Sequence, residues 1–334
     1  MIRCVWLAVW SVALFLGAVV SGAAATGHPS PMFDFHSGFW MNLHEFIYAN
    51  ASSSLPPGRS TVKLNQVDSE VIKRLSSSEQ AAWHRFVEYY AVHYAERDLL
   101  FDERMYDIKR KLESAEASQD LKGVDIPRGL KSVLLQAAPI YRKYWWAQHD
   151  TQNRRWVAEL RPLLDEQGLQ LRQSLEAIYD TAWPAQPVRV ETVAYASWTG
   201  AYTTVRPTQP TISTTDTRNQ RTAALEVIFH ESSHGMVGKL QDAIDEATSK
   251  LPVEKQKAIS KSLWHAVLFY TAGDLVAGHN PGYAMYADQA GLWVRAWPEP
   301  TRALIVRDWE PHMTGAVTLN DAVTKLVNDL VSSQ

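Results

Sequence analysis

The chain has almost no cysteine. Among its 334 residues only Cys4 carries a thiol, and it precedes an apolar run from Val5 to Val20. A lipoprotein cysteine follows such a run, so Cys4 is not one. Disulfides, thiolate metal sites and cysteine nucleophiles are therefore excluded from the body of the protein. The chain also lacks a basic surplus. Its 33 Lys and Arg stand against 36 Asp and Glu, a formal charge of −3, which gives neither nucleic acid nor an anionic membrane a reason to bind. No internal repeat and no low-complexity tract interrupts it. The Val5–Val20 run is short of the roughly 20 residues that a membrane span needs. With Arg3 before it and Ala23–Ala25 after it, the layout is that of a secretory signal peptide over 1–25, the alternative being a retained N-terminal anchor. The expectation is a secreted or periplasmic protein with no stable membrane insertion after cleavage. A core of this size needs no disulfide staples, so their absence does not argue against export.

What is present is apolar and aromatic: 46% hydrophobic residues and 13 tryptophans, enough for a sizeable core. Phe39, Leu43, Phe46 and Ile47 recur at helical spacing, as do Trp83, Phe86, Val87, Tyr90 and Tyr94 behind the serine cluster at 76–78. Further helices are expected over 101–117, 127–147 and 151–182. Residues 26–187 thus form a helical N-terminal region. The texture changes in "VRVETVAYASWTGAYTTVRPTQPTISTTD" (188–216). Its Val, Thr and Tyr with a turn at Thr199–Gly200 predict two or three strands. A helix capped by Asp216 or Thr217 is expected from about 219 to 250, then helices over 256–277, 284–296 and 318–331. Residues 188–334 are read as a metal-binding region, the alternative being one continuous domain with 26–187. The fold class is mainly α (α+β), with a small β-sheet just before the helix that carries the chemistry.

That helix contains "EVIFHESSHGMVG" (226–238). His230 and His234 stand four apart, on one helix face and one turn from each other. Both imidazoles can reach one ion at about 2 Å. Glu231 sits about 100° round from His230, placed to act on a water rather than on the metal, which is the logic of H-E-x-x-H. The stretch around it (Ala223, Ala224, Leu225, Val227, Ile228, Phe229) is apolar. Burying two histidines and a glutamate there is costly unless something uses them.

By "HESSH", a β-rich segment before it and an apolar helix after it, the stretch 190–280 resembles the zincin metallopeptidases. "DFHSGFWMNLHEFIY", "ALEVIFHESSH" and "LWHAVLFYTAGD" also resemble, more faintly, an uncharacterised group of secreted bacterial proteins. The zincin resemblance implies Zn2+, a zincin-like fold for the metal-binding region 188–334, and a peptide or protein substrate. It also implies that 201–215 adds an extended substrate as a β-strand. The third ligand stays open. The metzincin pattern needs glycine at 237 and histidine at 240, where Val237 and Leu240 stand. Glu254 holds the thermolysin-type place, Asp274 resembles the aspartate of aspzincins, and His265 lies in an otherwise apolar helix able to fold back on the motif. His265 is the ligand chosen here. Glu226, one turn before His230, is placed to orient that imidazole or to form a helix salt bridge. Tyr270, Tyr283 and Tyr286 are candidate donors to an oxyanion. His36 and His44 read as structural. The expected function is a secreted zinc-dependent hydrolase, a metallopeptidase with Glu231 as general base. The alternative is an exported, non-catalytic binding or scaffold protein with a structural zinc.

Overall fold

Local signals start the helices where the sequence places them. The Ser76 hydroxyl accepts from the Glu79 amide at 3.3 Å and the Glu79 carboxylate accepts from the Ser76 amide at 3.1 Å, a capping box that opens one of the long N-terminal helices. The computed structural model describes residues 31–53, 62–99, 102–185, 187–297 and 299–333, which lie within one compact unit, Pro31–Gln334. The leader read over 1–25 lies outside the described residues. Among those residues no helix is long and apolar enough to cross a membrane.

The first half builds β1 (Phe33–His36), α1 (Phe39–Ser52), α2 (Gln66–Arg74), α3 (Ser77–His93), α4 (Glu103–Ser114) and α5 (Arg128–Tyr141). A π-helical turn, Arg142–Trp146, joins α5 directly to α6 (Ala147–Ile178). The separate helices expected over 127–147 and 151–182 are therefore one rod, because nothing between Tyr141 and Ala147 frees the backbone from its helical bonds. The second half follows with β2 (Val188–Val193), β3 (Ala201–Val205), β4 (Thr208–Ser213), α7 (Thr222–Ser233), α8 (Gly238–Ser249), α9 (Val253–Gln256) and α10 (Leu263–His279). The short α11 (Tyr286–Gln289) and α12 (Leu292–Arg295) stand where one helix over 284–296 is expected. The chain ends with α13 (Thr301–Met313), which the hydrophobic pattern does not reveal, and α14 (Leu319–Ser332). The fold is mainly α with one small sheet.

The sheet has the order β1-β2-β4-β3. β1 pairs parallel with β2 in the register Phe33↔Val188, β2 parallel with β4, and β3 antiparallel with β4. β1 is absent from the sequence reading: four residues carry too little alternation, and their partner lies far along the chain. Of the expected substrate strand 201–215, only β3 is an edge, since β4 is paired on both sides. Side chains alternate across the sheet. Ala201 and Ile212 join a core built on α6, α7, α10, α13 and α14, whereas Tyr202 and Val193 join an aromatic core around Phe46, Trp83 and Trp145. In the latter, Trp83 and Trp145 lie 4.8 Å apart between ring centroids.

The continuous helix expected from 219 to 250 is also corrected. Asp216 caps only the 3-10 turn Thr217–Asn219, and α7 stops at Ser233 with His234 as its cap. The chain turns at Gly235 because β4 crosses there. A Cβ on Gly235 would stand 2.1 Å from Thr208 Oγ1 and 3.2 Å from Thr208 Cβ. Gly238, three residues on, has open space around that position. Gly235→Ala should cost about 1–3 kcal/mol by overpacking, whereas Gly238→Ala should be neutral or stabilising by about 0.4–1 kcal/mol. Thermal unfolding of the two variants measures the contrast; equal melting temperatures would show that β4 does not force the turn.

Candidate metal centre

α7 is buried along its whole length, packed between α6, α10, α11 and the β3–β4 hairpin. Its last turn carries His230 and ends on His234, and the first turn of α10 carries His265. The three side chains each offer a ring nitrogen, all within 4.8 Å of one another. His230 Nε2 and His265 Nε2 are 3.2 Å apart. Two nitrogens bound at about 2.0–2.1 Å on adjacent corners of a tetrahedral ion are separated by a little over 3 Å, so the spacing fits a shared ion. Aromatic rings hold the imidazoles in place. Phe269 stacks on His230 at 3.8 Å between centroids, and Trp264 on His265 at 4.9 Å.

Burial sets the protonation. It holds His230 and His234 well below the ordinary histidine range and His265 down to about 4, with the neighbouring imidazoles adding to the effect at His230 and His234. All three are neutral near pH 7 and offer lone pairs, as ligation requires. Glu231 is buried beside them, its Oε2 3.8 Å from His234 Nε2. Thr203 Oγ1, on β3, donates to the same oxygen at 2.7 Å. Burial pushes the Glu231 carboxyl up to about 7, against the opposing Thr203 hydrogen bond and the Lys109 charge. A cleft of about 580 Å³ exposes His230, His234, His265 and Glu231 together, with Thr203 and the Phe269, Tyr286 and Trp297 rings in its walls.

The other candidates fall elsewhere. α10 runs unbroken through Gly273, so Asp274 lies round the helix from His265, near Glu310, with burial raising its carboxyl. Glu254 is exposed on α9. Glu226 Oε2 accepts from the Tyr283 hydroxyl at 2.7 Å and from the Tyr286 amide at 2.9 Å. It thus anchors the approach to α11, and His230 Nδ1 has no hydrogen-bond partner; the salt bridge considered for Glu226 does not form among the described residues. Tyr270 donates to Glu310 and Tyr283 to Glu226. Tyr286 alone of the three tyrosines lines the cleft, and its hydroxyl is bonded to the Thr199 carbonyl at 3.1 Å. His36 is held between Asp34 and Glu116, and His44 donates or accepts at the buried Tyr90 hydroxyl, 2.8 Å away.

Sequence reasoning missed two residues behind the base. Thr203 is one; strand alternation was its only signal. Lys109 is the other, fully enclosed, bonded to Thr204 Oγ1 at 3.1 Å and the Gln209 carbonyl at 2.7 Å. Around it lie the buried carboxyls of Glu45, Glu113 and Glu191. Glu45 accepts from the Tyr202 hydroxyl at 2.6 Å. Burial nevertheless pushes it up to about 7. Comparison with family models, curated proteins and solved structures gives no match, so the functional reading stands on this geometry.

Two outcomes follow. The chain should retain about one zinc per molecule through dialysis. His265→Ala should lose it as fully as His234→Ala, and Asp274→Ala should keep it; elemental analysis of the three variants decides. For Glu45 the linkage sign is set by a folded pKa above the unfolded value. Its contribution to stability is complete below about pH 4.5 and is lost as pH rises through about 7. Glu45→Gln should remove that dependence and gain on the parent by up to the order of 3 kcal/mol between those limits. Denaturant melts at pH 4.5 and 8 test it, and a pH-independent difference between the two proteins would refute the assignment.

Proposed function

We propose that the protein is an exported zinc-dependent hydrolase, most simply a peptidase. One observation carries the reading: three neutral imidazoles with convergent nitrogens and a buried glutamate line the same cleft. A structural zinc is enclosed by four protein ligands, whereas a catalytic one keeps a position open. Among the described residues only three candidate ligands converge, and they do so in a cleft wall. The geometry therefore favours the enzyme over the scaffold reading.

His230, His234 and His265 are the residues that would hold zinc. Zinc, when bound, supplies a Lewis acid that polarises a scissile carbonyl and acidifies water. The chain's own contribution is proton handling and orientation. Glu231, poised near neutrality and held by Thr203, accepts the proton of the attacking water and returns it to the leaving amine. Phe269 and Trp264 fix the imidazole planes, which spares the site reorganisation during the reaction. Export follows from the N-terminal layout and suits a hydrolase free of thiols.

Glu231→Gln keeps the shape of the side chain but takes no proton. It should retain zinc and lose about 10²–10⁴-fold in kcat, the usual worth of a positioned base. Hydrolysis of a peptide library followed by mass spectrometry, with metal content measured on the same sample, separates the two effects. Wild-type turnover by the glutamine variant would remove Glu231 from the mechanism.

A further inference from the structure

The peptidase reading leaves the substrate class unassigned, and β3 restricts it. This inference rests on that reading. Strand addition to an edge uses a row of outward N–H and C=O groups. The Ser213 amide donates to the Gly200 carbonyl at 2.8 Å, and with the pairing Tyr202↔Thr211 this fixes the even-numbered residues of β3 as those bonded to β4. Residues 201, 203 and 205 therefore face outward. Pro210, which has no N–H to give, stands opposite Thr203, as this phase requires.

That outward row offers little within reach: Ala201 and Thr203 are buried, and Val205 is the exposed residue of β3. The Ala201 carbonyl accepts from Thr199 Oγ1 at 2.6 Å and Ser197 Oγ at 3.2 Å. The Ser197–Thr199 loop that supplies these hydroxyls is fastened on three sides. Arg218 Nη2 donates to the Trp198 carbonyl at 3.1 Å, the Tyr286 hydroxyl reaches across from α11 to the Thr199 carbonyl, and Asn219 Nδ2 donates to the Gly200 carbonyl at 2.8 Å. Gly200 holds φ +84, and a Cβ there would lie 2.5 Å from Asp216 Oδ2, so the turn under the loop is fixed as well. At the other end, Tyr106 of α4 binds the Arg206 carbonyl. Of the β3 residues the cleft reaches only Ala201, Tyr202 and Thr203. Val205 lies outside the cleft, and Thr203, beside Glu231, is 1% exposed, so the cleft offers an extended chain no open strand edge.

We infer that this site takes short peptides whose chain ends inside the cleft, rather than internal bonds of long extended chains. A chain laid along β3 would have to displace the Ser197–Thr199 loop, whose hydroxyls hold the Ala201 carbonyl two residues from Thr203. A short peptide needs no strand edge, only the cleft with its imidazoles, Glu231 and aromatic walls. The cleft volume, about 580 Å³, falls within the roughly 300–1,000 Å³ of sites that enclose a small ligand. Half-exposed Trp198, in the Ser197–Thr199 loop, lines the cleft and offers a bound peptide an apolar face.

The test uses the zinc-loaded full chain and two peptide pools with the same core sequences: free di- to tetrapeptides, and those cores embedded in dodecapeptides. Cleavage is read by mass spectrometry, and binding to zinc-loaded Glu231→Gln by calorimetry. The short pool should exceed the embedded pool by about tenfold or more in kcat/KM and in affinity. Ser197→Ala combined with Thr199→Ala frees the Ala201 carbonyl and loosens the loop, and should narrow that gap. Embedded cores cut and bound as well as free ones would overturn the length limit and leave the hydrolase reading intact. No cleavage of either pool, with wild type and Glu231→Gln indistinguishable, would remove the hydrolase reading and this inference with it.

Discussion

Three imidazoles, one buried and two half-buried, do not turn their nitrogens on one point without a reason. A buried polar atom left without a partner costs about 1–3 kcal/mol, and the nitrogens of His230, His234 and His265 crowd within 4.8 Å. One N–H···N contact satisfies a single pair, such as His230 with His265 at 3.2 Å; the remaining lone pair still faces its neighbours. A shared cation satisfies all three at once. The surrounding packing serves this convergence. α7 and α10 cross where their ends meet, and Phe269 and Trp264 press on the rings so that each keeps one orientation. The same burial that keeps the histidines neutral raises Glu231 to near neutrality. The three histidines and Glu231 thus owe their protonation states to one cause.

β3 links this centre to the rest of the molecule through its two faces. Thr203 points to α7 and bonds Glu231, while Thr204 points to the opposite face and bonds Lys109. Lys109 in turn is the enclosed cation among Glu45, Glu113 and Glu191, and its charge reaches Glu231 through the strand. Charged groups this deep are tolerated only in company. Their arrangement fixes the strand against α4 and so fixes the depth at which Thr203 meets the base.

Much of the centre was legible in the sequence because its signals are local. The spacing of His230, Glu231 and His234 needs only a helix, and an imidazole in the apolar run around His265 needs only a second helix folding back. Asp274 was separable from His265 by rotation about the helix axis alone. What escaped was long-range. β1 exists through its pairing with Val188 and its neighbours, and the stop after Ser233 depends on Thr208 crossing at Gly235. Tyr286 resembled an oxyanion donor by residue type and proximity in sequence. Its partner is the Thr199 carbonyl, set by a loop fold that no periodicity encodes.

The two glutamates of α7 show how environment divides identical side chains. Burial raises both to about 7. Glu226, 1% exposed, spends one carboxylate oxygen on the Tyr283 hydroxyl and the Tyr286 amide, so it belongs to the scaffold that holds α11 over the cleft. Glu231, at 7% exposure, accepts from a single hydroxyl and adjoins the open space in front of the histidines. Both keep lone pairs free, since Glu226 Oε1 has no partner and both residues line the cleft, but Glu231 Oε2 stands 3.8 Å from His234 Nε2, where a proton acceptor is of use beside the histidines. The pKa alone does not tell them apart. The difference lies in where each carboxylate stands, and that favours Glu231 as the proposed base.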